Sequence, residues 1–279
     1  MYPGSLSSPF PENMNSFSIC VSSYSTYAVP EGVTPVEAVT LPIATYTVID
    51  ALCNMLGFAL PAAGLDGDDA TDRSILIWGG SSMCGFYGIQ LAKLAGFNPI
   101  FTTASAKNHE ALKAIGATHC FDYREPTVVK DIQDSVTASG KPLSVVFDAV
   151  ASGLGVLEPP SEAAVDVTKS TPALALNCCS GVAGEDLRLC AVLPVAHDAR
   201  WKLCLGGRPL GNEVIGMPQD PSWPVRVNKG VQWLYENHAR HLKFPPRTMV
   251  RGAEEGVEAI QRVFAGKASL EKVVIEHPM

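Results

Sequence analysis

The sequence contains no basic run. Its 21 Lys and Arg are scattered and outnumbered by 28 Asp and Glu, for a net charge of -7. That balance excludes nucleic acid and an anionic membrane surface as main partners. There is no C-x-x-C pair either. The eight cysteines, at 20, 53, 84, 120, 178, 179, 190 and 204, therefore read as packed or free thiols of a reducing compartment, not as a zinc ribbon or disulfide framework. The N-terminal stretch holds Ser, Pro and Asn but no basic n-region, so no secretory signal is legible. No apolar run approaches the roughly twenty residues of a membrane span. A cytoplasmic protein without a membrane partner is expected. Also absent are an internal repeat, a Ser/His/Asp set at hydrolase spacing and the strict G-x-G-x-x-G of a dinucleotide fingerprint.

What is present is apolar material for a large core, 47% of all residues, which excludes a disordered chain. Residues 1–22, rich in Ser and Pro and without periodicity, read as a disordered tail. In 23–72, Thr34-Pro35-Val36-Glu37 sets Thr at the N-cap, Pro at N1 and Glu at N3 of a helix. A second, mostly apolar helix is predicted over Ile43–Leu56, and the polar loop Ala62–Asp72 is the clearest boundary. From 73 to 240, strands alternate with helices. The predicted strands are Ser74–Trp78, Pro99–Thr103, His119–Phe121, Leu143–Ala149 and Ala173–Asn177. Helices are predicted at Met83–Leu94, Asn108–Ile115 and Thr127–Val136. This rhythm implies an α/β fold, a Rossmann-type doubly wound parallel sheet. In the closing part, helices near Pro224–His241 and Ala253–Phe264 and a strand at Lys272–Glu276 are predicted, with 241–279 as a separate C-terminal segment. Val150–Thr171 is predicted to hold a helix interrupted by Pro159-Pro160, and Cys178–Pro194 shows no clear pattern.

The stretch with the most chemistry is Ser74–Gly85, an apolar strand running into Gly79-Gly80-Ser81-Ser82 and then a helix. Such a turn offers backbone N–H groups at the positive end of a helix, where a pyrophosphate can sit. A glycine-rich turn with no ligand is the alternative. NAD-specific folds carry an acid at the end of the next strand, roughly twenty residues on, for the ribose hydroxyls. Here that place holds Thr103-Ala104-Ser105-Ala106-Lys107-Asn108, with no acid. A hydroxyl, a cation and an amide suit a 2′-phosphate, so the choice falls on NADPH. Ser105 and Asn108 can equally cap the following helix. Tyr123, after the third strand, offers an aromatic face and a hydroxyl to the adenine and its phosphate, or is a solvent-exposed turn residue. His238 and His241 are spaced as a metal pair, but no nearby carboxylate or thiol supports one, and no metal is expected.

Together, Trp78-Gly79-Gly80-Ser81-Ser82, Thr103–Asn108, Gly116-Ala117 and Phe121-Asp122-Tyr123-Arg124 resemble the medium-chain dehydrogenase/reductase superfamily. The likeness is greatest to fungal trans-acting enoyl reductases, partners of highly reducing polyketide synthases. Pro30-Glu31-Gly32-Val33 and Ala38–Pro42 resemble the segment before their cofactor domain, and the likeness runs from Ser23 to Glu276. It implies NADP contacts at Ser81, Ser82, Met83 and Cys84, at Ser105, Ala106, Lys107 and Asn108, at Tyr123, at Leu176 and Asn177, and at Val274 and Ile275. It implies a substrate side at Cys204, Leu205, Gly206, Gly207 and Arg208. In the family a GroES-like domain precedes Ser23, so 23–72 reads as a truncated remnant of that catalytic domain, and 241–279 as completing its side. The apolar face that would pack on it is left for a dimer or a partner to cover. The resemblance implies an NADPH-dependent oxidoreductase reducing an α,β-unsaturated thioester of a polyketide intermediate. Its partner would be a polyketide synthase or its carrier-protein-bound intermediate, and the chain would be a monomer or homodimer. The resemblance identifies no proton donor. The alternative is a non-redox cofactor-binding paralogue serving a synthase as an accessory or scaffold.

Overall fold

A computed structural model describes residues 26–156, 165–179, 181–182 and 184–276. The expected tail at 1–22 and the helix broken at Pro159-Pro160 fall on residues outside this set. Four short apolar runs become buried strands: β1 (Ile75–Trp78), β2 (Ile100–Thr103), β4 (Val145–Asp148) and, after β3 (His119–Phe121), β5 (Arg188–Ala191). With β6 (Trp201–Leu203) they form one parallel sheet in the order β3-β2-β1-β4-β5-β6. Strands buried on both faces need apolar cover on both. One core cluster joins Ile75, Ile77 and Phe147 to Tyr87 and Leu112, and the other joins Leu76, Val146 and Leu189 to Ile132 and Ala175. The doubly wound α/β reading holds.

The helices are α1 (Pro35–Ala38), α2 (Pro42–Ile49), α3 (Met83–Ala95), α4 (His109–Ile115), α5 (Val128–Ser139), α6 (Thr171–Asn177), α7 (Ser222–His241) and α8 (Gly252–Phe264). The capping box of α1 is formed: Thr34 Oγ1 accepts from Glu37 N at 3.2 Å, and Glu37 Oε2 accepts from Thr34 N at 3.0 Å. Helix α2 continues as a π-helical turn over Asp50–Met55. Residues of this N-terminal part, Leu41 to Ala63, share one core cluster with Ile75, Tyr87 and Val231. The polar loop Ala62–Asp72 thus marks no gap in the packing, since Leu65 and Ala70 are buried within it.

The structure overturns two expectations. Pro35–Met55 is, by length and composition, one helical stretch long and apolar enough to cross a membrane; 72% of its apolar window is buried, and α2 packs against α3 and α7. The predicted strand Ala173–Asn177 is helix α6. Ser170 caps it and Pro172 lies in its first turn, and the Ala-Leu run has no β-branched residue to favour a strand. The fifth strand is instead Arg188–Ala191, inside the unpatterned stretch. Strand β6, the short antiparallel pair β7 (Glu213–Val214) and β8 (Met217–Pro218), and strand β9 (Arg247–Arg251) had no sequence signal; β9 pairs in parallel with β10 (Lys272–Glu276), and α8 connects the two.

Candidate dinucleotide site

Strand order reverses between β1 and β4, and in open α/β sheets ligands bind at that switch point, beyond the carboxyl ends of the strands. A cleft of about 520 Å³ lies there. Its floor is the turn after β1. Gly79 adopts a left-handed φ of 86°, and a Cβ on it would stand 2.1 Å from Val150 Cγ2. A Cβ on Gly85 would stand 2.2 Å from the Gly79 carbonyl oxygen, so only glycine lets α3 start this close to the turn. Gly79 N and Gly80 N donate to Thr103 Oγ1 at 2.9 Å and Thr103 O at 2.8 Å, which fixes the turn to the end of β2. Ser82 is the N-cap of α3: its Oγ accepts from Gly85 N at 2.9 Å and donates to Ala149 O at 3.1 Å. The first-turn amides of Met83 and Cys84 have no partner within the helix and suit an anion.

One wall comes from β2 and β3: Ser105, Lys107 and Tyr123 line it. Asp122, next to Tyr123 in sequence, is not among the lining residues and is paired elsewhere. Asp122 accepts from Arg124 Nε at 2.9 Å and from Ala106 N at 3.2 Å, and the Arg124 guanidinium holds its carboxyl well below the usual carboxylate range. Among the described residues no carboxylate lines the cleft. A second wall comes from Val150, Ser152 and Thr171 beyond β4. The third is a loop that sequence reasoning did not assign, Gly266–Ser269, which brings a second cation, Lys267. Leu270 N donates to Ser81 O at 3.1 Å, and Asn108 Nδ2 donates to Ser269 Oγ at 2.8 Å, so the loop is pinned from both sides. No local pattern near 266–269 marks these residues, because their role depends on contacts more than 150 positions away.

Of the expected cofactor contacts, the structure gathers Ser81, Ser82, Ser105, Lys107 and Tyr123 at the cleft. Ala106 is exposed and its amide donates to Asp122, outside the cleft lining, and Asn108 is buried as part of the clamp on Ser269. The Met83 side chain turns to an apolar groove beside α8. The Cys84 thiol is buried and its pKa pushed up to about 12 by desolvation. Leu176 and Asn177 are not brought to the cleft, because α6 is a helix: Leu176 packs on the second core cluster, and Asn177 O accepts from Gln133 Nε2 at 2.7 Å. Val274 and Ile275 lie on β10, and Ile275 faces the same apolar groove as Met83.

The expected substrate side, Cys204–Arg208, is tied into the core at both ends. Cys204 is buried, and Leu205 N donates to Asp50 Oδ2 at 2.9 Å. Arg208 is 6% exposed and pairs with the fully buried Asp50 through Nε at 2.6 Å and Nη2 at 2.8 Å. Its guanidinium also lies over the Trp223 ring, 5.0 Å from the centroid. Arg208 is therefore an internal counter-ion and offers no free charge to a substrate, while Gly206 and Gly207 remain exposed between the anchored ends. His238 and His241 are engaged separately: His238 Nδ1 contacts the Tyr235 carbonyl at 2.8 Å, and His241 packs on Trp233. Among the described residues no three His, Cys, Asp or Glu gather as metal ligands.

A family profile described as zinc-binding dehydrogenase matches residues 84–159. The chain is 30% identical over 244 residues to the trans-enoyl reductase RAP1 of Pyricularia oryzae, covering 82% of this chain and 62% of that protein. It is 28% identical to the trans-enoyl reductase mpsG of Macrophomina phaseolina, covering 96% and 73% of the two. A zinc-type alcohol dehydrogenase-like protein of Schizosaccharomyces pombe is 36% identical over 113 residues, 40% of this chain and 32% of that protein. The chain thus spans about a third of the length of some curated relatives and less than two thirds of several more. Among solved structures, the CurK enoyl reductase superposes with a TM-score of 0.58 at 18% identity, covering 92% of this chain and 67% of that one, a likeness of fold. The sheet order, the turn after β1 and these relatives agree in making the chain similar to medium-chain dehydrogenases/reductases, fungal trans-enoyl reductases among them.

Proposed function

We propose that this chain is an NADPH-dependent enoyl reductase acting on an α,β-unsaturated thioester carried by a polyketide synthase. The observation that carries the cofactor choice is the wall of the cleft. Ser105, Lys107, Lys267 and Tyr123 converge there with no carboxylate among the described lining residues. A ribose 2′-phosphate carries close to two negative charges at neutral pH, so two cations and hydroxyl donors attract it, whereas an acid would repel it. The cradle fits the rest of a dinucleotide: glycines where a Cβ would clash, and helix amides and Ser81 where a pyrophosphate would lie. When bound, the cofactor supplies a hydride to the electron-poor β-carbon of the enoyl group. The chain's own contribution is to hold the two phosphate regions, through Lys107 and Lys267 at one end and the amides of α3 at the other. The substrate reading rests on the trans-enoyl reductase relatives, and the carrier protein of the synthase is the partner it implies.

Titration with NADPH and with NADH, followed by nicotinamide fluorescence, tests the cofactor choice. Saturable binding that favours NADPH is expected, and no saturable binding of either would overturn it. Consumption of NADPH with the crotonyl thioester of N-acetylcysteamine tests the reaction. Binding without consumption would leave a cofactor-binding protein with no enoyl reductase activity.

A further inference from the structure

Asp148 ends β4 with its carboxylate fully buried, and its hydrogen-bond partners are neutral donors. Its Oδ1 accepts from Val150 N at 3.0 Å and Ala151 N at 2.8 Å, and its Oδ2 accepts from Thr171 Oγ1 at 2.6 Å. Burial pushes its pKa up. Thr171 is joined to Ser152 twice: Ser152 N donates to Thr171 Oγ1 at 2.9 Å, and Thr171 N donates to Ser152 O at 2.9 Å. The turn after β4 is therefore tied to the start of α6 by a two-bond bridge between Ser152 and Thr171. Next to it, a Cβ on Gly153 would stand 2.9 Å from Ser170 Cα. Ala151 is held at a φ of 50°, a left-handed conformation that a side chain disfavours and that persists only where neighbours over-determine it.

A conformation this constrained has a location that matters. Val150, Ser152 and Thr171 form the cleft wall beyond β4. Ala149, in the same turn, accepts from the Ser82 hydroxyl that caps α3. One buried carboxylate thus fixes both a wall of the cleft and a contact to the turn below it. We propose that Asp148 and Thr171 are positioning residues for the dinucleotide, holding the Val150–Ser152 turn in its strained, bound-like shape before the ligand arrives. The inference rests on the cofactor reading above. The Thr171 hydroxyl gives its proton to Asp148 and accepts from Ser152, so it acts through the turn, and a methyl in its place would leave Asp148 Oδ2 and Ser152 N–H without this partner.

The test compares the full chain with Thr171→Val and Thr171→Ser. In the free protein, amide hydrogen exchange at Val150–Ser152 should quicken by about tenfold in Thr171→Val, the effect of losing one buried charge-assisted bond. The Kd for NADPH, read by nicotinamide fluorescence on the folded fraction, should rise about tenfold as well. Thr171→Ser, which keeps the hydroxyl, should return both toward the wild-type values. Asp148→Asn keeps an acceptor for Val150 and Ala151 and should move both readouts in the same direction by less. Unchanged exchange in Thr171→Val overturns the proposal, and so does faster exchange with an unchanged Kd, which would make the bridge purely structural. Wild-type protein that bound neither NADPH nor NADH would instead overturn the cofactor reading and the inference with it.

Discussion

Lys107→Glu is the most direct perturbation of the cofactor reading. Lys107 lines the cleft beside Ser105, at the end of β2 where NAD-specific folds keep an acid. Two unit charges about 4 Å apart in water attract by ~1 kcal/mol. A 2′-phosphate carries about −1.5 to −2 charges, and at physiological ionic strength screening acts over about 8 Å. Removing the Lys107 charge should then weaken NADPH roughly five- to thirtyfold. Reversing it to Glu adds a repulsion of similar size, for a total near a hundredfold or more. NADH has no 2′-phosphate and its ribose hydroxyls can donate to the new carboxylate, so its Kd should stay within about threefold or improve. The assay is fluorescence titration of both nucleotides at two salt concentrations. Salt should shrink the NADPH difference, because the lysine is exposed. Equal losses for NADPH and NADH, or a salt-independent loss, would refute the electrostatic reasoning and point to a collapsed wall.

Three further outcomes follow from other parts of the molecule. Lys267→Ala should also weaken NADPH selectively, by a few-fold; equal losses for both nucleotides would remove the C-terminal loop from 2′-phosphate binding. Arg208→Met leaves Asp50 buried and uncompensated and should cost about 3–5 kcal/mol of stability in urea unfolding, whereas a loss under about 1 kcal/mol would show that the pair is not the lock described here. Cys53, Cys178 and Cys179 have thiols pushed up to about 12 by burial, so at pH 8 only ~1 in 10,000 of each is thiolate. A disulfide reagent should label them only after unfolding, with labelling in the native state rising as pH climbs toward 12, and rapid native labelling at pH 8 would contradict the packing.

The α/β class, the turn after β1 and the acid-free end of β2 were legible in the sequence because each is local. The apolar run Ile75–Trp78, the glycines and Ser82 that follow it, and the capping box at Thr34-Glu37 depend on neighbours within a few residues. Two kinds of feature were not legible. One was local but misread: the Ala-Leu run of α6 is apolar enough for a strand, and only Ser170 and Pro172 reveal a helix start. Leu176 and Asn177, carried on that helix, lie outside the lining of the cleft. The other kind is written nowhere locally. The resemblance puts Arg208 on the substrate side, whereas the fold sets it 2.6 Å from Asp50, 158 positions away. Lys267 reached the cleft because Leu270 and Ser269 bond to Ser81 and Asn108. Sequence alone therefore determined which kind of fold this is and that no acid stands at the end of β2, through backbone sterics and the chemistry of adjacent residues. Which charges are free to meet a ligand, and which are consumed as internal partners, was decided only by the tertiary structure, because burial and pairing belong to neighbours in space.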